Sequence, residues 1–308
     1  MDLTPFATEY PFAPHWLDVG GVRMHYIDEG ADEPLLFVHG NPTWSFAWRN
    51  LVKHFSPRQR CIAVDHIGCG RSDKPLVWEY TLDRRIADLV QLIDELDLRD
   101  ITLVAHDWGG CIGMGAAAAR PERFRRFVLM NTGAFRSSRM PLRIAVCRLP
   151  LFGTLALRGF NAFSRGALRM AVERPRLLTK AVKAGYLAPY DTWKHRIAVQ
   201  RFVQDIPRDK SHPSFERLVQ VEQGLAQFQD RPMLLPWGER DWCFNPEFRK
   251  EFERRFPQAE SYPIGDAGHY VFEDATAALI ARIEQFLGDH PLTHDQSHAA
   301  VATESTKA

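Results

Sequence analysis

Cysteine is scarce in this chain: five among 308 residues, at positions 61, 69, 111, 147 and 243, with no C-x-x-C pair. A scattered, odd-numbered set argues for reduced thiols in a cytoplasmic protein, and against a disulfide framework or a structural zinc site. An excess of either charge is also missing, with 39 Lys and Arg against 38 Asp and Glu. No global field therefore points to nucleic acid or to a membrane surface. No apolar stretch is long enough to span a bilayer. The opening Met1-Asp2-Leu3-Thr4-Pro5 lacks the basic-then-apolar order of a secretory signal. There is no internal repeat. What is left is a chain with enough apolar residues, 45%, to bury one large α/β core or a core with an insertion.

Short apolar runs recur with helical patterns between them. Val22 to Glu29 alternates apolar and polar, and with Trp16 to Val19 it predicts a hairpin at a sheet edge. Leu35-Leu36-Phe37-Val38 is a continuous apolar run, the mark of a strand buried on both faces, Cys61 to Asp65 is the next strand, and Ile101 to Val104 and Phe127 to Met130 read as further buried strands. Helical spacing fills Phe46 to Phe55 and Leu82 to Leu96. This rhythm predicts a mostly parallel sheet flanked by helices. It breaks after Asn131. Residues 135–226 are rich in Arg, Phe, Leu and Pro without clear strands, which predicts a helical cap over the site. The rhythm resumes with strands at Pro232 to Trp237 and Ala259 to Ile264, and helices at Pro246 to Phe256 and Ala275 to Leu287. The expected division is a core of 1–134 and 227–290, a cap of 135–226 and a disordered tail of 291–308.

The chemistry centres on Ala105-His106-Asp107-Trp108-Gly109-Gly110, between a buried strand and a small-residue helix. Strand, sharp turn and helix around one reactive side chain is the layout of a nucleophile elbow, here with a carboxylate at its tip. Taken alone, Asp107 could simply cap the helix. Two later loops argue otherwise. Asp241 follows one late strand and His269 the next, giving the order nucleophile, acid, histidine at the carboxyl ends of parallel strands. For His269 the plain alternative is a packed histidine, for Asp241 a turn residue, with Glu239 and Asp266 as nearby competitors. Asn131 follows an earlier strand but cannot serve as a charged orienter. His39-Gly40-Asn41-Pro42 supplies a further piece. The backbone N–H groups of Asn41 and Trp108 fall where an oxyanion hole is expected, and both side chains carry N–H donors for a departing anion. Packing for Trp108 and a turn for Asn41 are the plain alternatives. Asp65 and the turn Gly68 to Ser72 read as structural, and Cys111 as a packing residue.

Over nearly its whole length the chain resembles the haloalkane-dehalogenase branch of the α/β-hydrolases, through H-G-N-P-T-W at 39–44, H-D-W-G-G at 106–110 and the late Asp and His. Within that branch it resembles the cis-β-lactone decarboxylases of bacterial long-chain olefin biosynthesis. The runs that carry this are Y-P-F-A-P at 10–14, M-H-Y-I-D-E-G at 24–30 and D-H-I-G-C-G-R-S-D-K-P at 65–75. N-A-F-S at 161–164, Y-L-A-P-Y-D-T-W-K-H-R-I at 186–197 and R-F-V-Q-D-I-P at 201–207 lie in the cap; W-G-E-R-D-W-C-F at 237–244 and D-A-G-H-Y-V-F-E-D at 266–274 follow it. The resemblance implies an α/β-hydrolase fold and conversion of a dialkyl β-lactone to a cis-alkene and carbon dioxide. Asp107 would attack, the released anion would rest on Asn41 and Trp108, and His269 with Asp241 would complete turnover. It implies no metal or organic cofactor, and assembly with other enzymes of the same pathway. Phe135, Leu149, Leu151, Phe152, Leu155, Phe160 and Phe163 are the expected apolar lining, with Tyr186 and Tyr190 as further pocket wall. A haloalkane dehalogenase is the alternative, since every core residue it needs is present. An epoxide hydrolase comes third, and an inactive scaffold subunit is the non-enzymatic alternative.

Overall fold

Aliphatic runs become strands, and the way their side chains divide explains why the runs are continuous. In a computed structural model that describes residues 1–292, eight strands form one sheet. They are β1 (His15–Asp18), β2 (Arg23–Glu29), β3 (Pro34–Val38), β4 (Arg60–Val64), β5 (Ile101–Asp107), β6 (Phe124–Thr132), β7 (Met233–Gly238) and β8 (Glu260–Ile264). The order across the sheet is β1-β2-β4-β3-β5-β6-β7-β8. The β1–β2 hairpin lies at one edge and joins β4 antiparallel; every later pairing is parallel.

Helices cover both faces: α1 (Arg49–Phe55), α2 (Leu82–Glu95), α3 (Trp108–Ala119), α10 (Pro246–Arg255) and α12 (Thr276–Asp289). Alternate residues of β3 serve two cores. Leu36 and Val38 pack with α2, α3 and α10, whereas Leu35 and Phe37 pack with α1 and α12. Both neighbours of each strand residue are thus buried, which a period-2 polar pattern could not satisfy. The helix expected from Phe46 opens as a 3-10 turn, Ser45–Trp48, before α1.

Between β6 and β7 the described residues form no strand. Here lies the helical cap, with α4 (Leu142–Cys147), α5 (Phe152–Thr154), α6 (Ala162–Met170), α7 (Lys180–Leu187), α8 (Ile197–Gln204) and α9 (Phe215–Gly224). Its last helix returns to the core, where Val221 packs close to Gly115 of α3. A further helical turn, α11 (Val271–Asp274), occupies what the sequence suggested was loop. Of the expected tail, residues 293–308 lie outside the described residues.

Candidate active site

β5 runs directly into α3, and Asp107 at the junction has φ 53° and ψ −130°. Positive φ is strained for a residue with a Cβ, so the surroundings must enforce it. They do so from two sides. The Thr132 hydroxyl donates to the Asp107 carbonyl, and Gly109 lets α3 start against the Val38 carbonyl, where a Cβ would collide. Asp107 makes no side-chain capping bond to α3, which removes the plain alternative for it.

The carboxylate is held by its two oxygens differently. Oδ1 accepts the Asn41 backbone N–H at 2.6 Å, and the Trp108 backbone N–H lies close enough to the carboxylate to favour its charged form. Gly40 permits this approach, since any Cβ there would strike the carboxylate. The two backbone donors expected to form an oxyanion hole are thus directed at the Asp107 carboxylate. For an anion released from a substrate, the side chains of Asn41 and Trp108 remain as donors. Asn41 Nδ2 gives one hydrogen to the Val199 carbonyl at 3.1 Å, and an amide nitrogen carries a second.

Oδ2 faces His269 Nε2 at 3.6 Å, and His269 Nδ1 meets Asp241 Oδ2 at 2.8 Å. The chain-order reading thus brings Asp107, His269 and Asp241 into one line. The competitors for Asp241 are engaged elsewhere, Glu239 with Arg249 and Asp266 with Arg174. Three supports were missed from sequence. Asn131 donates to Asp241 Oδ2 at 3.0 Å and also bridges to Gly238 on β7. His106 Nε2 donates to the His269 carbonyl at 2.8 Å. Phe244 stacks on the His269 ring, centroids 5.8 Å apart. For Asn131 and His106 the available signal was their position at the ends of β6 and β5 beside the elbow.

All three triad side chains are buried. Burial raises the Asp107 pKa, and neighbouring His269 and the two backbone donors offset only part of that. For His269 burial pushes downward, but the Asp241 charge and hydrogen bond, with Asp107 beyond, leave it above its ordinary value.

Two cavities meet at Asp107, of about 150 Å³ and about 280 Å³. Asn41, Asp107, Ile144, Phe163 and Cys243 line both. The first runs past Trp108 and Cys111 toward Phe135, Leu218 and Phe248; the second runs past His269 and Tyr270 toward Phe152, Ala156, Ala167 and Ala171. Of the expected lining, Phe135, Phe152 and Phe163 are in place. Leu149, Leu151, Leu155 and Phe160 are not: they are exposed and line neither cavity. Tyr186 and Tyr190 are also corrected. Both are buried, with Tyr186 donating to Glu273 and Tyr190 to the Thr43 carbonyl at 3.2 Å, so they tie the cap to the core. Asp65 is a structural tie as expected from sequence, accepting from Ser45 N, Arg71 N and His25 Nδ1. Among the described residues no group of three His, Cys, Asp or Glu could hold a metal ion.

A mostly parallel sheet, a cap ahead of its last two strands and an elbow facing a histidine define an α/β-hydrolase, and the model of the alpha/beta hydrolase fold matches residues 33–276. The chain is 43% identical over 286 residues to the cis-3-alkyl-4-alkyloxetan-2-one decarboxylase of Shewanella oneidensis, covering 91% of this chain and 90% of that one. Identity is again 43%, over 92% and 98% of the two chains, to the decarboxylase of the same name from Xanthomonas campestris. Among solved structures, a haloalkane dehalogenase loop variant from Bradyrhizobium elkanii has TM-score 0.81 at 27% identity, covering 90% of this chain and 97% of that one. The chain belongs to the cis-3-alkyl-4-alkyloxetan-2-one decarboxylase family, within the haloalkane-dehalogenase-like α/β-hydrolases.

Proposed function

We propose that this protein converts cis-3,4-dialkyl β-lactones into cis-alkenes and carbon dioxide, with Asp107 as nucleophile. The observation that carries the reading is the pair of apolar cavities meeting at one carboxylate. A substrate with two alkyl chains on adjacent ring carbons needs that shape, and residues of the cap furnish most of both arms.

The occupied backbone donors bear on where attack falls. With the Asn41 N–H spent on Asp107 Oδ1 and the Trp108 N–H directed at the same carboxylate, neither is placed for the oxyanion that attack on the lactone carbonyl would create. Displacement at the saturated ring carbon needs no such hole. Asp107 Oδ2 attacks the carbon bearing the ring oxygen, from the side opposite that oxygen. The C–O bond breaks, and its electron pair becomes the charge of a carboxylate on the neighbouring carbon. This anion rests against the second Asn41 amide hydrogen and the Trp108 indole N–H, both in the first arm beside Asp107.

In the second step the bond from carbon to that carboxylate breaks. Its pair forms the double bond, carbon dioxide leaves, and Asp107 is expelled as a carboxylate. Inversion in the first step followed by anti elimination in the second keeps the two chains cis. No proton and no water is consumed. Protonated His269, 3.6 Å from Oδ2, stabilises the departing carboxylate, and Asp241 keeps that charge in place.

We further place the protein in the cytoplasm beside the enzymes that form its lactone, in keeping with five unpaired cysteines. Co-purification of those enzymes from the native host tests this.

The activity is tested with a cis-dialkyl β-lactone and, separately, a bromoalkane, reading alkene and bromide. Alkene from the lactone, lost in Asp107→Ala, is expected; rapid bromide release with no alkene overturns the reading in favour of a dehalogenase. Multiple turnovers in ¹⁸O-water separate the routes again. Elimination returns the same Asp107 oxygens and leaves its peptide unlabelled, whereas hydrolysis of an alkyl ester labels it.

A further inference from the structure

The cap carries a feature that the chemistry at Asp107 does not use. Between Arg136 and Val172 the chain has seven arginines and no Asp or Glu, although the whole chain is nearly balanced. Arg136 pairs with Glu222. The other six form no salt bridge among the described residues; Arg139 and Arg158 donate to backbone carbonyls, and Arg143 lies over the Trp242 ring.

The same stretch turns large apolar side chains outward. Leu142 is 79% exposed, Leu151 85%, Phe152 58% and Phe160 70%. They lie on the connected run from α4 through α5 to the turn at 155–160, where Leu155 and Trp193 close on Gly159. A soluble monomer rarely shows such a cluster without a use for it. The second cavity opens through this face, since Phe152, Met170 and Arg143 are exposed and also line it.

We propose that this face docks on an anionic phospholipid bilayer, from which the second cavity draws its apolar substrate and to which it returns the product. Leucines and phenylalanines among arginines are the composition of an interfacial segment, with the rings entering the acyl boundary and the guanidinium groups meeting phosphates. Six of the seven arginines form no salt bridge with a carboxylate among the described residues and call for an anionic partner. The cavity mouth calls for a partner that is also a reservoir of apolar molecules, and an acidic protein surface answers only the first demand. Docking stands on these residues alone; delivery of a lactone rests on the decarboxylase reading.

Sedimentation of the full chain with phosphatidylcholine vesicles, with and without phosphatidylglycerol, tests the proposal. Binding to the phosphatidylglycerol vesicles is expected, about tenfold weaker without the anionic lipid, and falling as salt rises. The double variants Leu151→Ser/Phe160→Ser and Arg165→Glu/Arg169→Glu line neither cavity. Each should lower binding about tenfold while turning over a short, water-soluble lactone at the native rate. Failure of the native chain to sediment, or variants that sediment as it does, overturns docking. A dimer present in the native chain and lost in these variants would overturn it too, assigning the face to a second copy. Vesicle binding without alkene from any lactone leaves docking in place and overturns the decarboxylase reading instead.

Discussion

In the proposed cycle Asp107 is nucleophile in one step and leaving group in the next, and its surroundings suit both demands. Burial raises its pKa and so its basicity, while His269 and two backbone donors keep the ionised form accessible. In the proposed cycle Asp107 must be ionised and His269 protonated. Turnover of the lactone should therefore rise with pH through the raised Asp107 pKa and fall through the raised His269 pKa, above the usual histidine value of about 6.5. A hydrolytic cycle needs neutral His269, so its rate would rise over the same upper range. Asp241 is the largest of the groups raising His269, and Asp241→Asn should move the alkaline limb down by about one unit or more. A pH profile of kcat/KM checks both, and an alkaline limb that stays put in the variant would remove Asp241 from this role. The convergence of Asp107, His269 and Asp241 was legible in the sequence because these residues follow strands in a telling order. The bracing by Asn131 and His106 was not, because it depends on which oxygen faces which nitrogen across neighbouring strands.

At the scale of elements, the strands were readable because each is short and buried on both faces, as Leu35 to Val38 shows. The side-chain directions of the cap were not. Its early helices are six and three residues long, interrupted around Pro150, Gly153 and Gly159, and no helical period survives such breaks. Leu151 and Phe160 therefore face out while Phe163, a few residues on, lines both arms. The α6 helix offers a sharper test of the arms. Ala167 and Ala171 keep the second arm open, and Ala167→Leu should shorten it. For a lactone with two long chains kcat/KM should fall about tenfold, the worth of a few methylenes in an apolar pocket. A lactone with two short chains should be unaffected, and one with a single long chain should still react by using the first arm. Equal losses on all three substrates would show that the two cavities do not receive separate chains.

Across the whole molecule, the near balance of charge read from composition conceals its segregation, because a sum over 308 residues cannot register where seven arginines fall. Attachment of the cap is a second property of the assembled fold that no local pattern announces. Buried Arg49 on α1 binds Glu273 on α11 through two contacts, at 2.5 Å and 2.9 Å, and Tyr186 of α7 donates to the same carboxylate. Arg49 also lies over the rings of Phe46 and Tyr186, and Trp44 Nε1 reaches the Gly185 carbonyl at 3.0 Å. The cap is thereby fastened at α7, away from the early helices that rim the cavities. Arg49→Met removes one partner and strands the buried Glu273 charge, which should cost about 3 kcal/mol or more. Tyr186→Phe removes one hydrogen bond and leaves the ion pair, costing about 1 kcal/mol. Thermal melts should therefore rank the native chain above Tyr186→Phe and Tyr186→Phe above Arg49→Met. If Arg49→Met melts with the native protein, the clamp does not secure the cap, and the packing of α7 against Phe46 and Trp44 must do so alone.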